Sequence, residues 1–462
     1  MASADNAADG WPNRAAGPAS SQVEIPDWVT MPCYRGPSLA SVLPATVERL
    51  GIQLPQVGGE ERDVIGSQAA ASAARVGPTR IDAGGEDSEA VDSAAANRTS
   101  AIAETRAAEP PRGIVLVLAD GLGEANLAAR AGHAPFLAAG PRQELVTGFP
   151  STTVASLASL GTGLEPGRTG LAGYCLRDPA TGRRANLIKW DTPTAPEVWQ
   201  PHATVFERLD AIGRPASFVG ERRFADSAMT RSSLRGARFY PARNSPAAIV
   251  ETALAAARRG DGLIYVYWGQ LDKTGHASGW ESTAWGTALE ELDQAVRQIQ
   301  ARLPRGWELW LTADHGMVDV AGAPVWDVAA DPELASGVRL VAGEPRAVHL
   351  YTGAVNGANA GTSANAANAA NAADAARVAE RWRRRLGDQA WVLTKAEAVA
   401  AGLFGRVDPR VEPYLGDVIV ALAGRATVRD SRLPGAAGKM VGQHGSLTAV
   451  EMRVPLIRWA AG

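Results

Sequence analysis

The chain has 462 residues, 46% of them hydrophobic, and a formal net charge of −3. That charge argues against general nucleic-acid binding, which needs a basic face, while the apolar fraction suffices for a large core. Cys33 and Cys175 are the only cysteines, so a disulfide framework is excluded and both read as free thiols.

Residues 1–28 are polar, rich in Ala and Gly and without periodicity, and read as a disordered tail. They lack a basic and apolar leader pattern, and no apolar run approaches the roughly 20 residues that span a bilayer; the expectation is a soluble, cytoplasmic protein with no membrane contact. Residues 29–55 form an N-terminal segment docking on the core. Within it, Ser38–Ile52 has a Ser cap and an apolar stripe interrupted by Pro44, which predicts a short helix. Residues 56–111 return to Gly, Ala and charged groups, as a linker or disordered insertion. The main domain spans 112–462. It begins with Gly113–Asp120, a continuous apolar run of strand length of the kind found in sheets covered on both faces. Gly148–Gly170 predicts a helix that starts at Pro150-Ser-Thr-Thr and stops at Gly161. Residues 172–245, rich in Arg, Pro and Gly, read as a cap or as long loops facing substrate. Leu263–Trp268, Glu308–Asp314 and Asp417–Ala423 repeat the strand pattern, and Glu281–Leu303 has helical spacing without proline. Residues 353–376, with the repeat ANAANAANAA, read as a flexible surface loop. Strands alternating with helices give an α/β fold: a mostly parallel central sheet flanked by helices, with a smaller cap region.

Chemistry-bearing residues gather where these strands end. Asp120 follows the first strand and precedes Gly-Leu-Gly. Asp272 and His276, in LDKTGH, are four residues apart and share one face of a helical turn. Asp314 and His315 lie in TADHGM, and His444 in GQHG. In open α/β sheets ligands collect at the carboxyl ends of strands, and Asp with His suits a borderline metal such as zinc. A lone Asp at a strand end is ordinarily a helix cap; three such ends together are not ordinary. The other histidines, His133, His202 and His349, stand in structural or surface contexts. At the helix start, Ser151, Thr152 and Thr153 offer hydroxyls beside free backbone N–H groups, a natural phosphate cradle. Ser151 and Thr152 read as plain caps, and a nucleophilic hydroxyl would need a base or metal to activate it.

The motifs LADGLG, the Thr-bearing segment ending in GTGLEPGRTG, LDKTGHASG, TADHGM and GQHG occur in an order that resembles the type I phosphodiesterase/nucleotide pyrophosphatase family of the alkaline phosphatase superfamily. The resemblance runs from Gly113 to about Pro455 and implies an alkaline phosphatase-like catalytic domain. It implies a hydrolase cleaving phosphodiester or phosphoanhydride bonds through a phospho-threonine on two divalent metal ions, zinc foremost, with manganese or another divalent ion as the alternative. Counting nine residues back from Thr162 of the Thr-Gly-Leu-x-Pro element places the nucleophile at Thr153, with Thr152 its neighbour and competitor. One metal would be held by Asp272, His276 and His444, the other by Asp120, Asp314, His315 and the Thr153 oxygen. Where the family has a phosphate-contacting Asn, this chain has Ser156. Tyr174, Arg177 and Lys189 are further candidates for facing a small phosphodiester or nucleotide substrate. The alternatives are a phosphomonoesterase or phosphonate hydrolase of the same superfamily, its mutase branch, and a catalytically silent metal-binding homologue.

Overall fold

The computed structural model describes residues 24–54, 109–352, 364–433 and 440–460. The expected linker over 56–111 lies almost wholly outside these residues, as does the expected tail up to residue 23. At the described end of that tail Trp28 lies against the core, and the docking segment follows directly, with Val29 packed there and the Thr30 N–H donating to the Leu447 carbonyl at 2.7 Å. The docking helix α1 spans Val42–Arg49 and continues a 3-10 turn at Leu39–Ser41. Pro44 therefore falls in its first turn, where a missing N–H breaks no intrahelical bond. Leu39, Val42, Leu43 and Val47 are buried against the main body.

A seven-stranded sheet organises that body. Its strands are β1 (Gly113–Ala119), β2 (Arg142–Val146), β3 (Ser217–Glu221), β4 (Arg238–Ala242), β5 (Leu263–Trp268), β6 (Trp307–Thr312) and a last strand, Arg453–Ala460. The order across the sheet is β2, the last strand, β6, β1, β5, β3, β4. From β6 to β4 every pairing is parallel, and the last strand is antiparallel to both its neighbours. All seven residues of β1 are buried, which is why its sequence is apolar without alternation. The helix α2 spans Thr153–Thr162, α3 Gln270–Ser278 and α4 Thr283–Arg302. The expected stop of α2 at Gly161 moves two residues on, because Gly163 supplies the left-handed cap at φ 74°.

Three expectations need correction. The cap assigned to 172–245 is smaller, because β3 and β4 belong to the central sheet. In β4, the edge strand, the exposed Arg238 and the N–H-lacking Pro241 are tolerated, and together they hid the strand pattern. The Asp417–Ala423 run is not in the central sheet. It supplies Val418–Leu422 to a separate four-stranded antiparallel sheet, ordered Leu340–Glu344, Ala347–Tyr351, Val418–Leu422, Ala390–Thr394. There Ile419 and Ala421 join the main core, whereas Val418, Val420 and Leu422 join a second core with Val378 and Trp382. Burial on both faces gives a run that reads like a central parallel strand. The expected loop over 353–376 is helical from Ala364, in α5 (Ala364–Leu386). Alanine has the highest helix propensity, and the Val378 to Leu386 stripe docks the helix on the second sheet.

Candidate metal centre

The order β6, β1, β5 makes neighbours of three strand ends far apart in sequence. The Asp120 N–H donates to the Trp268 carbonyl at 2.9 Å and the Asp272 N–H to the Asp120 carbonyl at 3.1 Å, so the loops after β1 and β5 are tied to each other. Gly121, at φ 80°, lies so close to them that a Cβ there would stand 3.0 Å from the Asp272 Cα. A two-residue antiparallel pairing of Gly442–Gln443 with Val318–Asp319 then delivers His444. Met317 explains the small residues of the other motifs. It is fully buried, and a Cβ on Gly275 or on Gly442 would come within 2.2 or 2.4 Å of its sulfur. The DHGM, GH and GQHG motifs thus interlock through one thioether.

Two clusters result. In one, His276 Nε2 is 3.2 Å and His444 Nε2 3.7 Å from Asp272 Oδ1. In the other, His315 Nε2 is 3.5 Å from Asp120 Oδ1 and 3.4 Å from Asp314 Oδ2. Within each cluster the candidate ligand atoms all lie within 4.8 Å of one another. The His315 and His444 rings stack at 3.6 Å between centroids, which sets the clusters side by side. Each imidazole is oriented by a carbonyl: His276 Nδ1 faces Gly442 O at 2.8 Å, His444 Nδ1 faces Ser151 O at 2.9 Å, and His315 Nδ1 faces Gly316 O at 3.0 Å. A carbonyl only accepts, so each Nδ1 carries the proton and each Nε2 lone pair is turned to the carboxylates.

The electrostatics fit a resident cation. Asp272 Oδ1 and Asp314 Oδ2 are buried and have no hydrogen-bond partner among the described residues. Removal from water, with Asp120 nearby, pushes the Asp272 carboxyl up to about 7, and burial does the same to Asp314. Asp120 is raised as well, by burial and then by Asp314. Burial drives His315 down to about 4, and burial plus the two neighbouring imidazoles lowers His444. His315 and His444 are thus neutral, as ligands must be, and the aspartates lack the positive charge that would hold them ionised.

A sequence model of the type I phosphodiesterase/nucleotide pyrophosphatase family matches residues 114–447. The chain belongs to that family. The family is metal-dependent, and its members' chemistry makes this chain a phosphoric ester hydrolase. No match was found among curated proteins. Among solved structures, human ectonucleotide pyrophosphatase/phosphodiesterase 5 superposes with a TM-score of 0.57 at 15% identity, covering 75% of this chain and 88% of that one. Its murine counterpart in complex with AMP gives 0.54 at 16% identity, covering 74% and 87%. Phosphonoacetate hydrolase from Sinorhizobium meliloti 1021, in complex with phosphonoacetate, gives 0.56 at 18% identity, covering 75% and 90%. These likenesses establish the shared α/β fold.

The hydroxyls at the start of α2 separate by environment. Ser151 Oγ donates to the Ser446 carbonyl at 2.7 Å, and Thr152 faces Glu344; both are buried, and neither caps the helix through its side chain as expected. Thr153 is the more accessible of the three, with Oγ1 3.2 Å from His315 Nε2 and 3.5 Å from Asp120 Oδ1. Ser156 is placed differently from the expectation that it faces substrate. Its hydroxyl is fully buried, donates to the Asp314 carbonyl at 2.9 Å and pairs with Thr147 at 3.0 Å, so it anchors the Asp314 loop. Arg177 stacks over the Tyr351 ring, and Tyr174 reaches the site only through its backbone N–H, bonded to Glu344. Lys189 is exposed, and among the described residues its side chain makes no hydrogen bond or ion pair with either cluster. His133 pairs with Glu290, His202 with the Arg168 carbonyl, and His349 accepts the Gly416 N–H, all outside the centre. Cys175 is buried and its thiol is pushed up to about 12, unsuited to nucleophilic attack.

Two contributors escaped the sequence reading. Asn126 clasps the Met317 backbone, its amide donating to Met317 O at 3.1 Å and accepting from Met317 N at 3.1 Å. Tyr267, in β5, donates its hydroxyl to Asp120 Oδ2. No signal in the sequence marks it, because its partner is set by the register that puts it opposite Leu118 of β1. Tyr267→Phe is expected to weaken metal retention about 10-fold or more, because a support behind a ligand is lost; metal content after graded chelation checks this, and unchanged retention would count against a supporting role.

Proposed function

We propose that the chain hydrolyses phosphodiester or phosphoanhydride bonds by transferring the phosphoryl group first to Thr153 and then to water, on two divalent metal ions. The observation that carries this reading is the convergence of both Asp/His clusters beside the one accessible hydroxyl at the start of α2. Asp272, His276 and His444 would hold one ion; Asp120, Asp314, His315 and the Thr153 oxygen would hold the other. Zinc suits the mixed carboxylate and imidazole donors, and manganese is the alternative. Bound ions would neutralise phosphoryl charge and ease deprotonation of the hydroxyl and of water.

The chain's own residues do the rest. The α2 N-terminus presents free N–H groups and the positive end of its dipole to the phosphoryl oxygens. Thr153 Oγ1 attacks phosphorus in line, and its proton leaves toward Asp120, the carboxylate it already faces. The bond from phosphorus to the leaving oxygen breaks, giving a phosphate ester on Thr153. Water then attacks the same phosphorus from the opposite side, and the Thr153 oxygen departs and regains a proton.

Family membership supports diesters and anhydrides as substrates, and AMP bound by the murine neighbour agrees with a nucleotide-sized product. A phosphonate or phosphomonoester substrate is the second reading, favoured by the likeness to phosphonoacetate hydrolase. Metal-loaded protein is expected to turn over bis(4-nitrophenyl) phosphate with a kcat/KM at least about 10-fold above that for 4-nitrophenyl phosphate, a difference of about 1.4 kcal/mol at the transition state. The reverse preference would make the protein a phosphatase, and release of phosphate from phosphonoacetate alone would make it a phosphonate hydrolase.

A further inference from the structure

Glu344 ends the strand Leu340–Glu344 of the second sheet, far in sequence from every metal-ligand motif, yet it reaches the start of α2. Its Oε1 accepts the Tyr174 N–H at 2.5 Å, and the Thr152 hydroxyl faces the same carboxyl as a donor. Its Cβ and Cγ lie 3.2 and 3.3 Å from where a Cβ on Gly445, next to His444, would stand. The side chain is therefore wedged between the cap, the first turn of α2 and the His444 loop.

Its surroundings set it apart from another buried acid, Glu451, which lies in the helix Ala449–Met452. Two residues after Glu344, Arg346 is fully buried and salt-bridged to Glu451 at 2.7 Å, and Glu451 accepts the Ser446 N–H at 3.0 Å. That pair is charge-compensated and braces the His444 loop from behind. Glu344 is 5% exposed, has no cation beside it among the described residues, and leaves Oε2 without a hydrogen-bond partner. Burial pushes its carboxyl up to about 8. An uncompensated buried acid costs stability, and such groups concentrate at functional sites. Its hydrogen bond to the Tyr174 N–H and its contact with the Thr152 hydroxyl both end on segments that flank the reacting centre.

We propose that Glu344 is a positioning residue: its carboxyl couples the cap at Tyr174 to the first turn of α2 and so sets the Thr153 hydroxyl between Asp120 and His315. The inference rests on Thr153 being the nucleophile, since the coupling acts on catalysis only through that hydroxyl. Thr152 is the connecting link: it is the N-cap residue of α2, next to Thr153 in sequence, and its hydroxyl faces the Glu344 carboxyl.

The test is a double-mutant cycle on the metal-loaded protein with Glu344→Ala, Thr152→Val, the double variant and Glu344→Gln. With bis(4-nitrophenyl) phosphate, Glu344→Ala is expected to lower kcat about 10- to 100-fold, with KM within about threefold and metal content unchanged. Glu344→Gln keeps an acceptor oxygen and is expected to stay within about threefold of the parent, and the double variant to be no worse than Glu344→Ala alone. Losses that multiply, or a kcat for Glu344→Ala within about threefold of the parent, would overturn the inference. Amide hydrogen exchange supplies an arm that needs no turnover. Glu344→Ala is expected to speed exchange at Thr153–Leu157 and at Tyr174–Leu176 together, and exchange unchanged in either segment sinks the coupling. Should the parent turn over no ester at all, the functional reading fails, and the exchange arm still decides whether Glu344 joins the two segments.

Discussion

Thr153→Ala is expected to lose turnover by on the order of 10³-fold or more while keeping its metal content and unfolding midpoint. The reason lies in how the three hydroxyls at the start of α2 are committed. Ser151 is tied to the Ser446 carbonyl and Thr152 to Glu344, so neither can approach a phosphorus atom without breaking a buried contact. Thr153 makes only long contacts, 3.2 and 3.5 Å, to groups that are themselves candidate metal ligands. Alanine at the first position of α2 retains helix propensity and removes one partly exposed hydroxyl, so the fold has little to lose. Both clusters also keep their three side-chain ligands. Metal analysis, thermal unfolding and steady-state rates on the diester separate these effects. Activity within about 10-fold of the parent would remove Thr153 as nucleophile and turn attention to Thr152 or to direct attack by water.

The parts of this site that were legible in the sequence are those where a strand pattern ends in a ligand. Asp120, Asp314 and the Asp272/His276 pair each follow an apolar run, and parallel strands send their carboxyl ends to one edge. His444 was legible only by its motif, because its place depends on a two-residue pairing with Val318–Asp319 that leaves no periodic trace. Tyr267 and Glu344 were not legible. Each is a polar residue in a largely apolar strand, and which group it meets is decided by neighbouring strands rather than by its own surroundings in sequence. Ser156 fails for a related reason. Position in a motif predicted that it faces substrate, but one turn into α2 the hydroxyl points at the Asp314 backbone. The fold misreadings share a cause as well. Val418–Leu422 is buried on both faces without being parallel, and β4 is an edge strand whose Arg238 and Pro241 mimic a loop. Pattern reports burial; it does not report which layer does the burying.

Chelation is expected to expose the electrostatic cost of the centre as a pH-dependent loss of stability. Between pH 6.5 and 8 an unfolded chain has its aspartates fully ionised, their ordinary value being about 4, while its histidines pass from about half protonated to neutral, a smaller and opposite contribution. In the folded, metal-free protein Asp272 and Asp314 titrate at about 7 and Glu344 at about 8, so the folded state binds more protons than the unfolded one. Stability must then fall as pH rises through this window. Below it the sign is mixed, because His315, lowered to about 4, and His444, also lowered, favour the folded state as pH rises toward 6.5 and offset the acids. The window above 6.5 is therefore the diagnostic one. Metal ions that require ionised aspartates should reverse the trend for Asp272 and Asp314, releasing protons on binding at pH 6.5 and few at pH 8. At a thousandfold excess over its dissociation constant a bound ion adds about 4 kcal/mol of stability, enough to raise the unfolding temperature clearly. Calorimetric titration with zinc or manganese in buffers of different ionisation enthalpy measures the protons, and thermal unfolding of the chelated protein measures the slope. A midpoint that is flat or rises from pH 6.5 to 8 after chelation, or zinc and manganese uptake without proton release at pH 6.5, would mean that these aspartates are not held neutral in wait for a cation. The two clusters would then be an acidic crevice rather than a metal centre, and the catalytic reading of Thr153 would lose the positive charge it depends on.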